Sequence, residues 1–435
     1  MRIYDYLKQY ENSDSYGFHM PGHKRNKELL DCDLPYGIDI TEIDGFDDLH
    51  HADGIIKEAQ ERAAKLYQAG ETHFLVNGST VGILSAILGV TSRVDKILVA
   101  RNCHKSVYHA MELRGLEPVY IYPEYDVVSG LNGAISAEEV RDILNCDEDI
   151  KAVVIVSPTY DGVVSDVRAI AEVVHEKGIP LIVDEAHGAH FGFHSYFPTN
   201  ANALGADLVI HSVHKTLPSL TQTALLHMNG DLVCRKKVRK YLHMLQSSSP
   251  SYVLMASIDS CVDFLEKNAK EVFEKYVDLL NNARSELKAL KHLKVEEAQC
   301  YDKSKLVISV RKANITSREL ADRLRKKYHL ETEMTAGHYV LLMTSVADTE
   351  EGFRRLVTAL KEIDSSVEAS EIEQKILPLP KAKKGEKNIS KKYCYLYPPG
   401  IPIVTPGEEM TEEVKAYITM HKELGFDLVE TEEGE

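Results

Sequence analysis

The sequence predicts an α/β protein, with a mostly parallel central sheet flanked by helices and a smaller α+β domain towards the C-terminus. Three observations carry this. Short apolar runs alternate with helix-like stretches between residues 55 and 210, a long helical period runs from Ser257 to Leu290, and strand-like and helical segments mix again between Leu306 and Asp364. Strands that alternate with helices need crossover connections, which cover both faces of a parallel sheet.

Taken in order, residues 1–50 lack periodicity, are rich in His, Gly and Asp, and read as an N-terminal arm. Residues 51–256 read as the large α/β domain. Its strands are expected at Thr72–Val76, Lys96–Ala100, Pro118–Ile121, Ala152–Val156, Pro180–Val183 and Leu208–Ile210. Its helices are expected at Ile55–Tyr67, Val81–Leu88, Ser106–Arg114, Ala137–Leu144 and Ile170–Lys177. Residues 257–375 read as the small α+β domain, with strands Leu306–Val310 and Tyr339–Met343 and amphipathic helices Ser317–Lys327 and Thr349–Ile363. Residues 376–435 read as a Lys- and Pro-rich linker (376–392) and a C-terminal segment closing on a helix.

Composition excludes several classes. A formal charge of −16 argues against a general nucleic-acid binder, which carries a basic face. The same charge suits a cationic small substrate, or simply solubility. The seven cysteines are odd in number, widely spaced and without a CxxC pair. They suggest neither a disulfide framework nor a cysteine-rich zinc site, so a reducing cytoplasm is expected. The first residues lack the apolar core of a signal peptide. No apolar run approaches the roughly 20 residues that span a bilayer, so no membrane association is expected.

Five motifs carry chemistry, each after a different expected strand. Ser212-Val-His-Lys-Thr216 follows Leu208–Ile210. Burial and polar neighbours lower a lysine's pKa, so that Lys215 can form an imine with an aldehyde cofactor, and Ser212 and His214 flank it with groups suited to a phosphate. A surface lysine opening a helix is the plain alternative. In Leu181-Ile-Val-Asp-Glu-Ala-His-Gly188 a strand ends on Asp184, where open α/β sheets place ligands. A carboxylate there can keep a pyridine nitrogen protonated. Asp-Glu-Ala-His also occurs in some helicases, but the chain lacks the GxxxxGK[ST] loop an NTPase needs. His187, His190 and His194 lack a recognised zinc signature, and no metal is expected. Asn77-Gly-Ser-Thr80 opens a helix whose N–H groups, with the Ser79 and Thr80 hydroxyls, form an anion site or an ordinary cap. His104, at another strand-to-helix junction, presents a flat ring able to stack on a planar cofactor, or else caps the helix. Ser157-Pro-Thr-Tyr-Asp-Gly162 follows the strand Ala152–Val156, again at a strand's carboxyl end. Their order is informative, because five strand ends of one sheet can share one edge.

With these motifs the chain resembles the Orn/Lys/Arg decarboxylase family, a branch of the fold-type-I enzymes that depend on pyridoxal 5′-phosphate (PLP). The resemblance runs through Phe18–Lys24, Asp39–His51, Leu75–Thr80, Asn102–Ser106, Pro158–Gly162, Asp184–His194, Ser212–Leu217, Thr221–His227 and Tyr397–Glu408. It implies that Lys215 carries PLP as a Schiff base, that Asp184 pairs with the pyridine nitrogen, and that His104 stacks on the ring. It further implies that Ser79, Thr80, Ser212 and His214 hold the phosphate, and that His187 lies beside the ring. Glu408 is implied as a contact for the distal end of a basic substrate. The larger family members carry an extra N-terminal receiver-like domain that this sequence does not show, so it resembles the short forms. A homodimer with active sites between subunits is implied, with Met20–Lys24 and Asp44–His51 as the loops that reach across. The implied reaction is α-decarboxylation of lysine, arginine or ornithine to a di- or polyamine. Another PLP reaction on the same fold, or a non-catalytic PLP-binding scaffold, is the alternative.

Overall fold

The computed structural model describes residues 1–16, 18–26, 32–370, 377–381, 383, 388–396, 400–424, 426 and 428–432. Seven strands form the main sheet: β1 (Glu71–Leu75), β2 (Lys96–Ala100), β3 (Glu117–Ile121), β4 (Ile150–Val156), β5 (Leu181–Asp184), β6 (Leu208–His211) and β7 (Ala224–Met228). Their order is β1-β7-β6-β5-β4-β2-β3. Strands β3, β2, β4, β5 and β6 are parallel. β7 runs antiparallel between β6 and β1, so β1 regains the direction of the parallel strands. The carboxyl ends of β1, β2, β4, β5 and β6 therefore share one edge, as the motif order predicts.

The helices of this part are α1 (Ile3–Glu11), α2 (Ile55–Leu66), α3 (Gly78–Val90), α4 (Lys105–Arg114), α5 (Ala137–Cys146), α6 (Val167–Glu176), the single turn α7 (Val213–Thr216) and α8 (Arg235–Leu245), of which α3 to α6 form the crossovers between successive strands from β1 to β5. β4, β5 and β6 are buried along almost their whole length, which is why they read as continuous apolar runs rather than alternating ones. α3 is apolar on every side because it packs between the sheet and α8.

The 36-residue helix α9 (Tyr252–Leu287) leads from the large sheet to the small one. Ser251 caps it by accepting the Leu254 N–H. Buried Asp259 on α9 accepts the Ile3 N–H at 2.7 Å and pairs with Arg62, which pins α1 and α2 against it. The small sheet comprises β8 (Lys294–Glu296), β9 (Lys305–Ser309), β10 (Met334–Ala336) and β11 (Tyr339–Met343), in the antiparallel order β8-β9-β11-β10. Two amphipathic helices cover it, α10 (Ser317–Tyr328) and α11 (Glu350–Ser365). Phe353, Leu356, Leu360 and Ile363 form the buried stripe of α11.

The C-terminal segment contains a sheet the sequence reading did not anticipate: β12 (Lys392–Leu396), β13 (Ile401–Val404) and β14 (Leu428–Glu432), with α12 (Glu412–Glu423). Part of the expected Lys- and Pro-rich linker (376, 382 and 384–387) and Tyr397 lie outside the described residues. All seven cysteines are free. Among the described residues no helix is long and apolar enough to cross a membrane.

Candidate active site

The shared carboxyl edge of the sheet opens into a cavity of about 470 Å³, a size typical of small-molecule sites. After β1, Gly78 turns the chain into α3 with φ +75°, a conformation that favours glycine, and Ser79 and Thr80 line the cavity. After β2, Asn102 and His104 line it; after β4, Tyr160; after β5, Asp184 and His187; after β6, His214 and Lys215. Thr221, Gln222 and Ile401 complete much of the wall. Seven of the residues singled out from sequence thus meet in one place.

Lys215 Nζ lies 3.1 Å from His187 Nε2. Burial pushes the Lys215 amine down, opposed by the Asp184 and Glu333 carboxylates. Burial pushes Asp184 up, with the Lys215 charge pulling it back. The Asp184 side chain accepts the Ala186 N–H at 3.1 Å. Burial and the charges of Lys215 and Lys305 hold His187 well below the usual imidazole range, so it is neutral at pH 7. The His187 ring packs against Tyr160, with centroids 4.5 Å apart.

His104 caps α4, its Nδ1 accepting the Ser106 N–H at 3.3 Å. Burial and the Lys215 charge push it down to about 4. It is therefore a neutral flat ring on the cavity wall. His214 donates Nδ1–H to the Thr223 carbonyl at 2.8 Å, and burial lowers its pKa. Its Nε2 is then a lone pair while the ring is neutral.

Two expected residues stand elsewhere. Ser212 is fully buried and does not line the cavity; its hydroxyl has no hydrogen-bond partner among the described residues. Glu408 is not brought to the cavity at all. It is buried in an ion pair with Arg101 at 2.9 Å and accepts the Thr405 N–H at 2.8 Å. Arg101 also donates to the carbonyls of Pro402 and Ile403, at 2.6 and 3.2 Å. The expected role of Glu408 as a substrate contact is therefore corrected: it neutralises a buried guanidinium that fastens β13 to the end of β2. The three histidines weighed for zinc go to different partners, His187 to Lys215, His190 to Asp302 and His194 to Glu274.

Sequence reasoning missed Lys305, Tyr160 and Glu333. Lys305 heads β9 and is 0% exposed, with Nζ 3.4 Å from His187 Nδ1. Glu333, exposed, accepts from the Tyr160 hydroxyl and exerts its charge on both lysines. A lysine before an apolar strand reads as a solvated flank, and only the tertiary fold brings this one inside. Tyr160 lay within a quoted motif, with no signal for its role.

The donor set fits PLP. A helix N-terminus with two hydroxyls suits a phosphate, Asp184 is a buried carboxylate able to face a ring nitrogen, and Lys215 is a half-buried amine on the cavity wall.

The Orn/Lys/Arg decarboxylase major-domain profile matches residues 2–342, and the C-terminal-domain profile of the same family matches residues 351–427. An arginine decarboxylase of Halalkalibacterium halodurans is 34% identical, the alignment covering 94% of this chain and 91% of that one. An arginine decarboxylase of Bacillus subtilis is 32% identical, over 98% and 94%. Among solved structures, a lysine decarboxylase of Francisella novicida superposes with a TM-score of 0.82 at 19% identity, over 99% of this chain and 78% of that one. The fold is thus that of the lysine decarboxylases, and the protein is an enzyme of the carboxy-lyase class that belongs to the Orn/Lys/Arg decarboxylase family.

Proposed function

We propose that this protein is a PLP-dependent α-decarboxylase of a basic amino acid, with Lys215 as the Schiff-base lysine and a di- or polyamine as product. The carrying observation is the convergence of Lys215, Asp184, His104, Ser79 and Thr80 in one cavity. Arginine is the first substrate to test, because relatives aligned over more than nine-tenths of both chains bear that name. No arginine lines the cavity among the described residues, so an α-carboxylate clamp of the kind that would favour transamination is not supported.

When bound, PLP supplies an electron sink for the Cα–carboxylate bond as CO₂ leaves. The chain's own residues do the rest. Asp184, buried at the sheet's centre between β4 and β6, holds a proton on the ring nitrogen by its charge. Ser79, Thr80 and the α3 N-terminus bind the phosphate, with His214 beside them. His104 bounds the ring as a neutral face. Lys215 and His187 move protons near the reacting atoms, linked at 3.1 Å. Tyr160 and Glu333 stand ready for the substrate, Glu333 offering a carboxylate for a cationic side chain where Glu408 does not.

A cytoplasmic homodimer is part of this reading. Support comes from the seven free cysteines and from the N-terminal arm, where Phe18 and Met20 are 90% and 64% exposed. Apolar side chains this open suit a second copy of the chain. The Met20–Lys24 and Asp44–His51 loops remain the segments proposed to reach across.

The test is capture of PLP by the purified protein, followed by borohydride reduction and peptide mass mapping, alongside incubation with arginine, lysine and ornithine. The reading predicts the pyridoxyl group on Lys215, none in Lys215→Ala, and amine from one substrate. Pyridoxyl on another lysine, or no amine from any substrate, contradicts it.

A further inference from the structure

The site holds a second lysine that the reading above does not use. Lys305 enters from the small sheet, and its Nζ contacts the ring nitrogen of His187 that Lys215 leaves unused. The three groups form a line, Lys305–His187–Lys215, through the cavity wall. The placement is tightly defined. A Cβ on Gly162, at φ +104°, would lie 2.8 Å from the Lys305 Cγ, so the loop after β4 is moulded around this stem. Behind it, buried Asp302 bonds His190 at 3.1 Å and Ser304 at 2.8 Å.

The contact geometry restricts protonation. A neutral imidazole has one donor and one acceptor nitrogen. Two ammonium groups cannot both donate to it, so one of the two amines accepts from the ring while the other donates. A protonated ring would donate from both nitrogens and would need both amines to be neutral, although Lys305, at about 8, holds a proton more readily than this buried imidazole.

We infer that Lys305 is the proton-relay partner of Lys215, acting through His187. Lys305 Nζ gives a proton to His187 Nδ1 as Nε2 passes its own proton to Lys215 Nζ. One N–H bond breaks and one forms at each transfer, the positive charge moves from Lys305 to Lys215, and the ring ends neutral in its other tautomer. The reverse exchange leaves Lys215 as the free amine. No external acid, base or oxidant is required. Burial pushes Lys305 down to about 8, with Asp302, Glu333 and Asp161 opposing and Lys215 assisting, so its proton is exchangeable near neutrality. Asp184 and Glu333 face Lys215, and His104 and His214 also act on His187. Lys305 is thus a positioning residue for a lysine that the proposed function already places at the chemistry, and the inference rests on that reading.

The test begins with the full chain free of cofactor. Acetic anhydride labelling across pH, read by peptide mass spectrometry, gives the apparent pKa of Lys215. Lys305→Met removes the coupled charge, and the Lys215 profile moves up by about one pH unit, which is about tenfold slower labelling near pH 7.5. Lys305→Arg keeps the charge, so its labelling profile stays with the wild type. A guanidinium does not release its protons, however, so turnover by the PLP-loaded Lys305→Arg enzyme falls about tenfold, as it does for Lys305→Met. A folded Lys305→Met protein with the wild-type Lys215 profile overturns the inference. So does wild-type turnover by Lys305→Arg, an arm that holds even if the methionine variant does not fold. Absence of decarboxylation in the wild type contradicts the proposed function instead, and leaves the labelling result standing.

Discussion

At the residue scale, the site works by holding protons where water alone would not. His214 is the simplest case. Its Nδ1–H is committed to Thr223, so a phosphate at Nε2 must bring a second proton onto the ring. Burial lowers the free ring's pKa, and a phosphate dianion raises it. Binding is therefore expected to take up a proton: PLP affinity falls by up to about tenfold per pH unit as pH rises through the pKa of His214 in the complex. Titration calorimetry in buffers of different ionisation enthalpy measures that uptake, and His214→Gln abolishes it. Asp184→Asn keeps the shape and removes the charge proposed to face the ring nitrogen. A loss of about 10² or more in kcat is expected from steady-state assay, with the fold unchanged by circular dichroism. Glu333→Gln is expected to raise KM for a basic substrate more than it lowers kcat.

At the scale of elements, the unanticipated feature is the fastening of the C-terminal segment to the sheet. Arg101 is completely buried at the end of β2, and Glu408, the Tyr108 hydroxyl and two carbonyls of the β13 region accept from its two terminal nitrogens, while Nε has no hydrogen-bond partner among the described residues. Removing one partner leaves a buried charge unpaired, so Glu408→Ala is expected to destabilise the protein by about 3–5 kcal/mol in denaturant unfolding. It also loosens Ile401, which walls the cavity. Gly162→Ala is expected to destabilise too, because φ +104° is strained for alanine and its Cβ meets the Lys305 stem. Strands β1 to β6 were legible from apolar runs, and their boundaries fall within two residues of the expected ones. β7 was not. Its five residues include His227, whose imidazole is buried between Thr72 and His211, so a polar chain occupies a core position. The three C-terminal strands were hidden because β12 and β14 pair residues 32 to 40 apart in sequence and β13 is interrupted by Pro402.

At the scale of the whole molecule, the topology explains why so much of the site was readable and why Lys305 was not. Motifs that follow parallel strands share an edge whatever the loop details, so the meeting of Ser79, His104, Asp184 and Lys215 was legible from order, whereas their roles came from the family resemblance. Lys305 comes from a different sheet, reached through α9, β8 and the segment that leads into β9, and no local pattern reports how the two sheets face each other. Glu408 failed for a related reason: a carboxylate at a matching motif position was taken to face the substrate, and the fold instead gave it Arg101. The open N-terminal arm predicts a dimer, measurable by sedimentation velocity, and Phe18→Asp with Met20→Asp is expected to weaken it. The central claim is that this constellation removes CO₂ and leaves the amine. The direct measurement is the ratio of CO₂ to amine released from carboxyl-labelled arginine, lysine and ornithine by the PLP-loaded enzyme. One CO₂ per amine from one of the three, absent in Lys215→Ala, is the predicted result. A 2-oxo acid formed with the label retained would contradict the account.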